Sequence, residues 1–351
     1  MFFFCIGLPS RFGEWCAAVL TRLVERTLGT PEAIYADIFE QFLVPAIRSE
    51  SPSAIVSSFQ ISGPLWAALA EANKPFLLIC DHPHHALENI VERHGAEFLE
   101  ATRVIAKSCA SLVSCAALPG ALVLRAERDA ADLLATAAAI ARHLGFAVDD
   151  AGIADVVAAV ADFDPRRDPQ EHLAWWRQLD AAQRALVTGA VDPYLTHLAG
   201  GDLGQIVWER DFFYMNEEPP SETDPPAARP IDITGRPRHL LYGPYITLPP
   251  GSWSATVALG FSAEATELSY LVQVYAGVET LLCSVTLPPG QERVVETTLN
   301  FSLAAPDMID NRVCNERAAF DGRLALGHVV VTQVGGIRAQ TRSYLETAVS
   351  G

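Results

Sequence analysis

Phe2-Phe3-Phe4-Cys5-Ile6, broken by Gly7-Leu8-Pro9-Ser10-Arg11-Phe12-Gly13 and followed by Trp15, Val19, Leu23 and Arg26 at helical spacing, reads as a buried strand, a tight turn and a helix. Such a unit aims backbone N–H groups and the positive end of the helix dipole at whatever occupies the turn, an arrangement suited to an anion. On its own it also describes the start of an ordinary α/β domain, because a fold does not imply a function.

Working outward, Thr30-Pro31-Glu32 carries helix-start chemistry: a capping hydroxyl, a proline tolerated in the first turn and an acid at the positive dipole end. A helix is therefore expected there, with Ile34, Ile38, Phe42 and Ile47 on one face and Pro45 as a kink or stop, followed by a loop over 49–53. Gly63-Pro64 opens a short helix to Ala72, and Lys74-Pro75 leads into an apolar strand over 76–80. Pro83 suits the first turn of a helix to Arg93, residues 96–118 form an Ala-rich helix, and a third strand runs over 121–124. Helices follow over 129–145, 150–162 and 169–198. Strands alternating with helices predict a parallel sheet covered on both faces.

Composition changes at Asn216, where Asn216-Glu217-Glu218-Pro219-Pro220 through Pro226 is acidic and proline-rich, the chemistry of an extended, solvated linker. Beyond it the apolar runs have strand length: 245–248, 253–260, 268–275, 280–287, 293–303 and 324–333. Leu-Pro-Pro-Gly occurs between strands at 248–251 and 287–290, and Asp321-Gly322 is a third turn signal. The expected division is an α/β domain over 1–214, a linker over 215–236 and an antiparallel β-sandwich over 237–351.

The chain of 351 residues is half hydrophobic, which excludes disorder throughout. Its apolar runs are short and interrupted, and the Phe-rich start lacks a basic region and a small-residue cleavage pattern, so a cytoplasmic protein without a membrane span is expected. Seven cysteines without a C-x-x-C pair read as reduced core residues. The net charge of −17, with no Lys/Arg block against it, disfavours nucleic acid and anionic membranes as partners.

The turn Pro9-Ser10-Arg11-Phe12-Gly13-Glu14-Trp15 resembles the first loop of the sulfotransferase family. Later stretches agree in order: the run 74–80 with Asp81-His82-Pro83 resembles that family's second donor-binding strand, Leu122 to Glu127 its next strand, and Ala139 to Phe146 the helix and Leu-Gly end that follow. The resemblance covers roughly residues 1–200 and implies a P-loop sulfotransferase-like α/β fold, sulfuryl transfer, and 3′-phosphoadenylyl sulfate as cofactor. It implies donor contacts at Pro9, Ser10, Arg11, Gly13, Asp81 and Asn89. The second half resembles, loosely, the small β-sandwich of bacterial glycosyltransferase-type and polysaccharide-biosynthesis proteins, through Tyr242-Gly243-Pro244-Tyr245, the Leu-Pro-Pro-Gly turn and Phe320 to Leu324. That likeness implies sugar binding or domain packing, and with it a carbohydrate or other small acceptor, or a protein partner, in envelope polysaccharide assembly.

The pattern departs from the family at three positions: Ser10 directly follows Pro9, where the family has a basic residue, and Arg11 comes one place later. Asp81 stands where an Arg holds the donor's 3′-phosphate, and Asn89 where a Ser does, while Glu14 adds a second carboxylate to the pocket. A unit charge pair at about 4 Å and an effective dielectric near 20 is worth about 4 kcal/mol, repulsive here, so the usual donor is not expected to bind tightly. Two readings follow: a diverged transferase acting on or recognising a carbohydrate, or a non-catalytic relative that binds a glycan or a partner.

Asp81-His82-Pro83-His84-His85 with Glu88 and Asn89 forms an unusual cluster, in which His84 and Glu88 stand four apart on one helix face. Without an H-E-x-x-H pattern the imidazoles are expected to be structural rather than metal-ligating, and His82 is the candidate general base, with Arg11 as the catalytic cation. Trp175, Trp176 and Tyr245 are candidate stacking surfaces for an acceptor; the adjacent tryptophans point about 100° apart, so one belongs to the core. Gly-x-Ser-x-Gly, Walker A and dinucleotide-binding glycine patterns do not occur.

Overall fold

In the computed structural model, Phe2–Gly7 (β1) is the middle strand of a parallel sheet, paired with Ala54–Ser58 (β3) on one side and Phe76–Cys80 (β4) on the other. Glu32–Tyr35 (β2) and Ala121–Arg125 (β5) complete the order β2-β3-β1-β4-β5. The structure describes residues 1–36, 41, 51–163, 165, 169–198, 202–215, 230–277 and 279–334, with 169–172 as backbone only. The chain divides into two compact units, Met1–Val187 with Tyr194–Gly201, and Thr188–Pro193 with Asp202–Gly351.

Why β1 lies centrally follows from its composition. Phe3, Cys5 and Ile6 are buried, and a strand covered on both faces must be apolar throughout. The helix Arg11–Leu28 (α1) buries Phe12, Trp15, Val19, Leu20, Leu23 and Val24 against one face of the sheet together with Leu77, Ile79, Leu124 and Ile140. Burying one such side chain is worth about 1.5–3 kcal/mol, so this stripe fixes the angle at which α1 leaves the turn.

The expected helix at Thr30-Pro31-Glu32 is a strand instead. Glu32 N–H donates to Ser53 O at 3.0 Å, and residues 32–35 pair in register with 54–57. Local capping chemistry is outweighed by pairing with a strand, β3, that its brevity hides in the sequence. Ile38, Phe42, Pro45 and Ile47 lie outside the described residues. The helix at Pro83 runs over Pro83–Glu88 (α2) and relaxes into a π-helical turn over Asn89–Arg93. Phe98–Ala116 then forms a long helix and Leu133–Leu144 another, the latter ended by Gly145 in the left-handed conformation.

The second unit holds two antiparallel sheets. One contains Tyr214–Met215 (β7), His239–Tyr242 (β9), Pro244–Leu248 (β10), Tyr270–Ala276 (β12), Thr280–Leu287 (β13) and Asp307–Asn315 (β15). The other contains Ile206–Glu209 (β6), Ile231–Asp232 (β8), Gly251–Phe261 (β11), Val294–Leu303 (β14) and Arg323–Gln333 (β16). Alternate residues are buried along β11 and β12: Trp253, Ala255 and Val257 in one, Tyr270, Val272 and Val274 in the other. The Leu-Pro-Pro-Gly stretches form the connections β10–β11 and β13–β14.

Two sequence expectations need correction here. Ile206–Glu209 and Tyr214–Met215, in the stretch assigned to the first domain, pair into the sandwich sheets, β6 with β16 and β7 with β9. The composition break at 216 is thus not where strand pairing changes. And β15, the strand that joins β12, β9 and β10, is not legible as a strand because Asp307, Asp310, Asn311 and Asn315 belong to the residues depleted in strands.

Candidate functional site

The strand order reverses beside β1, and in open α/β sheets the crevice outside the strand ends at such a point is the usual ligand position. A cavity of about 380 Å³ lies there, lined by the turn after β1, by Ser57, Ser58 and Phe59 at the end of β3, and by Ile79, Ile90 and His94. The turn is tight. A Cβ on Gly7 would meet Ile79 Cβ at 2.9 Å, and one on Gly13 would stand 2.8 Å from Leu8 O.

Ser10 caps α1: its Oγ accepts the Gly13 amide at 3.1 Å and its carbonyl accepts Glu14 N–H at 2.9 Å. Pro9, Ser10, Gly13 and Glu14 line the cavity, whereas Arg11 is exposed and is not among the lining residues. Asn89, buried, donates its side-chain amide to Pro9 O at 2.9 Å. Arg93 reaches both Asn89 Oδ1 and Glu14 Oε2 at 3.3 Å. The cation that reaches this cavity wall from the π-helical turn, Arg93, is therefore paired with a carboxylate in the first turn of α1.

Asp81 serves its own segment: Oδ1 accepts His82 N–H at 2.7 Å and faces His85 Nδ1 at 3.4 Å. His82 caps α2 through Nδ1, which accepts His84 N–H at 3.3 Å. The His84 ring stacks on Trp176, centroids 4.4 Å apart and planes 4° from parallel, while Trp175 is buried. Arg125, beside Cys80 in the β4–β5 register, donates through Nη1 to Leu198 O. Among the described residues no group of three or more His, Cys, Asp and Glu is placed to hold a metal ion.

The wall of the cavity carries Glu14, His94 and the Cys5 thiol as its ionisable groups, and burial pushes Cys5 up to about 12, leaving it neutral. A transferred sulfuryl group needs cations or donors aimed at developing negative charge. Here Arg11 does not line the cavity, and Asn89 and Arg93 hold protein groups. Sequence reasoning missed Ser57, Ser58 and Phe59 because β3 was not seen, and His94 because the helix was expected to end at Arg93 without the π-helical turn that brings His94 to the cavity. Arg93 stands one helical turn beyond Asn89, a spacing that could have drawn attention to it.

On the second unit, Tyr214, Tyr242 and Tyr245 form a cluster with centroid separations of 5.7, 5.6 and 6.3 Å, and Tyr214 is 39 % exposed. Tyr245 sits at φ 61, a left-handed conformation that costs an L-residue other than glycine on the order of 1–2 kcal/mol. Beneath lies Asp310, fully buried, which accepts Gly243 N–H at 2.7 Å and Arg312 Nε at 2.6 Å. The Arg312 guanidinium stands 4.0 Å over the Tyr275 ring. Burial, followed by the Asp310 carboxylate, raises the Tyr245 hydroxyl above its ordinary value.

No protein-family model matches the chain, and no curated protein matches it in sequence. Solved structures similar in part include a mouse sulfotransferase complexed with PAP, at 13 % identity over 56 % of this chain and 82 % of that one, TM-score 0.40. They also include a C-terminal carbohydrate-binding module of a laminarinase from Zobellia galactanivorans, at 14 % identity over 37 % and 99 %, TM-score 0.25. A carbohydrate-binding module of Cellvibrio mixtus lichenase 5A in complex with cellotriose has 10 % identity over 37 % and 97 %, TM-score 0.25. Among the described residues no helix is long and apolar enough to cross a membrane.

Proposed function

We propose that this protein recognises a carbohydrate through the tyrosine cluster of its sandwich, in envelope polysaccharide assembly, and that its sulfotransferase-like unit does not use 3′-phosphoadenylyl sulfate. The observation that carries the reading is Tyr245, held at φ 61 against Tyr214 and Tyr242 on a partly open face. Backbone strain retained at such a position points to function, since packing alone would be better served by a glycine. Sugar rings present C–H faces that stack on aromatic planes and hydroxyls that hydrogen-bond to charged groups such as Arg312.

The binding reading is favoured over transfer because Glu14 and Arg93 neutralise each other at the turn, Asn89 holds Pro9, and Arg11 is exposed away from the cavity lining. The role of His82 as general base belongs to the transfer reading, and its Nδ1 accepts the His84 amide.

Calorimetry of the full chain tests both halves. Titration with 3′-phosphoadenylyl sulfate is expected to give no saturable heat, and micromolar binding abolished by Arg11→Ala would overturn the statement about the donor. Among a panel of neutral and acidic oligosaccharides at least one is expected to bind, with Tyr214→Ala and Tyr245→Ala each costing about 1 kcal/mol, roughly fivefold. Absence of binding across the panel, or binding indifferent to both substitutions, would sink the carbohydrate reading.

A further inference from the structure

At the opposite end of the parallel sheet from the turn, β1 and β4 part company. β1 pairs with β3 from Phe2 onward but with β4 only from Cys5, which faces Leu77. The chain ahead of β4 is Lys74-Pro75, and proline has no N–H with which to extend the ladder. Between the first residues of β1 and this segment lies a cavity of about 430 Å³. Its wall includes Phe2, Phe4, Leu65, Leu69 and Leu144; the charged side chain at the lining is that of Lys74, which is exposed, while the Met1 ammonium, also at the lining, donates to Pro52 O at 2.6 Å. Backbone packing fixes where that cation begins, because a Cβ on Gly120 would collide with the Lys74 carbonyl.

A volume of this size falls in the range of small-molecule sites, roughly 300–1,000 Å³, which combine an apolar wall with a few polar groups that set orientation. Two features restrict the ligand. The apolar wall rewards hydrocarbon, and the Lys74 ammonium, on the one charged side chain among the lining residues, rewards one negative charge at one end. Lys74 presents a compact point charge, matched by a carboxylate. We propose that the cavity binds a medium-chain fatty acid, its alkyl chain packed along Phe2, Phe4, Leu65 and Leu69 and its carboxylate paired with Lys74. The site is separate from the tyrosine cluster and from the cavity at the turn, so it stands or falls independently of the carbohydrate reading.

The test is calorimetric titration of the full chain with octanoate, decanoate, dodecanoate and hexadecanoate below their micellar concentrations, with dodecanol as the uncharged control. Affinity is expected to rise about fourfold per methylene until the chain outgrows the cavity, and then to level or fall. Lys74→Gln is expected to lose about tenfold for dodecanoate and nothing for dodecanol. Ala68→Phe, which adds a ring to the lining, is expected to abolish binding of both while thermal unfolding shows the fold retained. No saturable binding at any chain length would overturn the proposal, as would affinity that climbs without limit and ignores Ala68→Phe. Equal binding of acid and alcohol in both the parent and Lys74→Gln would overturn the role of the carboxylate.

Discussion

Asn89 donates its side-chain amide to the carbonyl of Pro9, eighty residues earlier, at 2.9 Å. The turn after the central strand is thereby fastened to the helix that follows the neighbouring strand. The same side chain accepts from Arg93 at 3.3 Å, so a position that the sulfotransferase pattern would give to a phosphate-binding serine carries protein contacts in both directions.

Asn89→Ala should therefore destabilise the protein by about 1–3 kcal/mol, the penalty for a buried hydrogen-bonding group left without its partner. Arg93→Ala, which removes an ion pair between half-exposed side chains, should change stability by less than about 0.5 kcal/mol. Urea unfolding of the two variants separates them, and equal losses would contradict the central role given to Asn89.

Gly13→Ala reverses a general rule. Inside a helix the change ordinarily stabilises by about 1 kcal/mol, but here the new methyl would stand 2.8 Å from Leu8 O. A loss of about 1–3 kcal/mol is expected from the forced shift of the turn. A raised melting temperature would show that the turn is looser than described.

Alkaline pH should weaken the fold. Burial raises Cys5 from the ordinary 9.0 to about 12 and Cys80 to about 11. A raised value in the folded state means that the native protein keeps its thiol protons where the unfolded chain releases them. The associated stability is complete below pH 9 and is lost as pH climbs toward 11 and 12, with a slope of at most about 1.4 kcal/mol per pH unit for each thiol. Denaturant midpoints at pH 8, 9.5 and 10.5 should fall, and Cys80→Ala should show the shallower fall. Parallel curves would mean that Cys80 titrates normally.

Proteolysis addresses the acidic, proline-rich stretch of sequence after Met215. It lies between β7 and β8, which both pair into the sheets of the second unit, so a glutamate-specific protease is expected to cut first at Glu217 or Glu222 and to nick that unit rather than part the two. First cleavage within β11 to β14 would contradict this.

How far the sequence could be read depended on what each signal measures. The unbroken apolar runs of β1, β4 and β5 announced buried parallel strands. The short strands β2 and β3 did not: Glu32 and Ala33 carry little strand preference, and the pairing that recruits them comes from Ala54–Ser58. The site was legible as a turn and as a set of substituted positions. What those residues do was not legible, because the partners of Asp81 are set by how the chain enters α2, those of Asn89 by where α2 unwinds into a π-helical turn, and the stacking of His84 on Trp176 joins two distant helices.

The pairing of β16 with β6 bears on how the polypeptide is made. Ile206–Glu209 emerges from the ribosome long before Arg323–Gln333, the strand it pairs with in the described sheet. At roughly 5–20 residues per second the interval is on the order of ten seconds. During that time the edges of β6 and β11 that β16 will cover are open to other nascent chains. Translation stalled before residue 323 would thus release a product whose first unit can fold while its second presents bare strand edges, the form most prone to aggregation and to capture by chaperones.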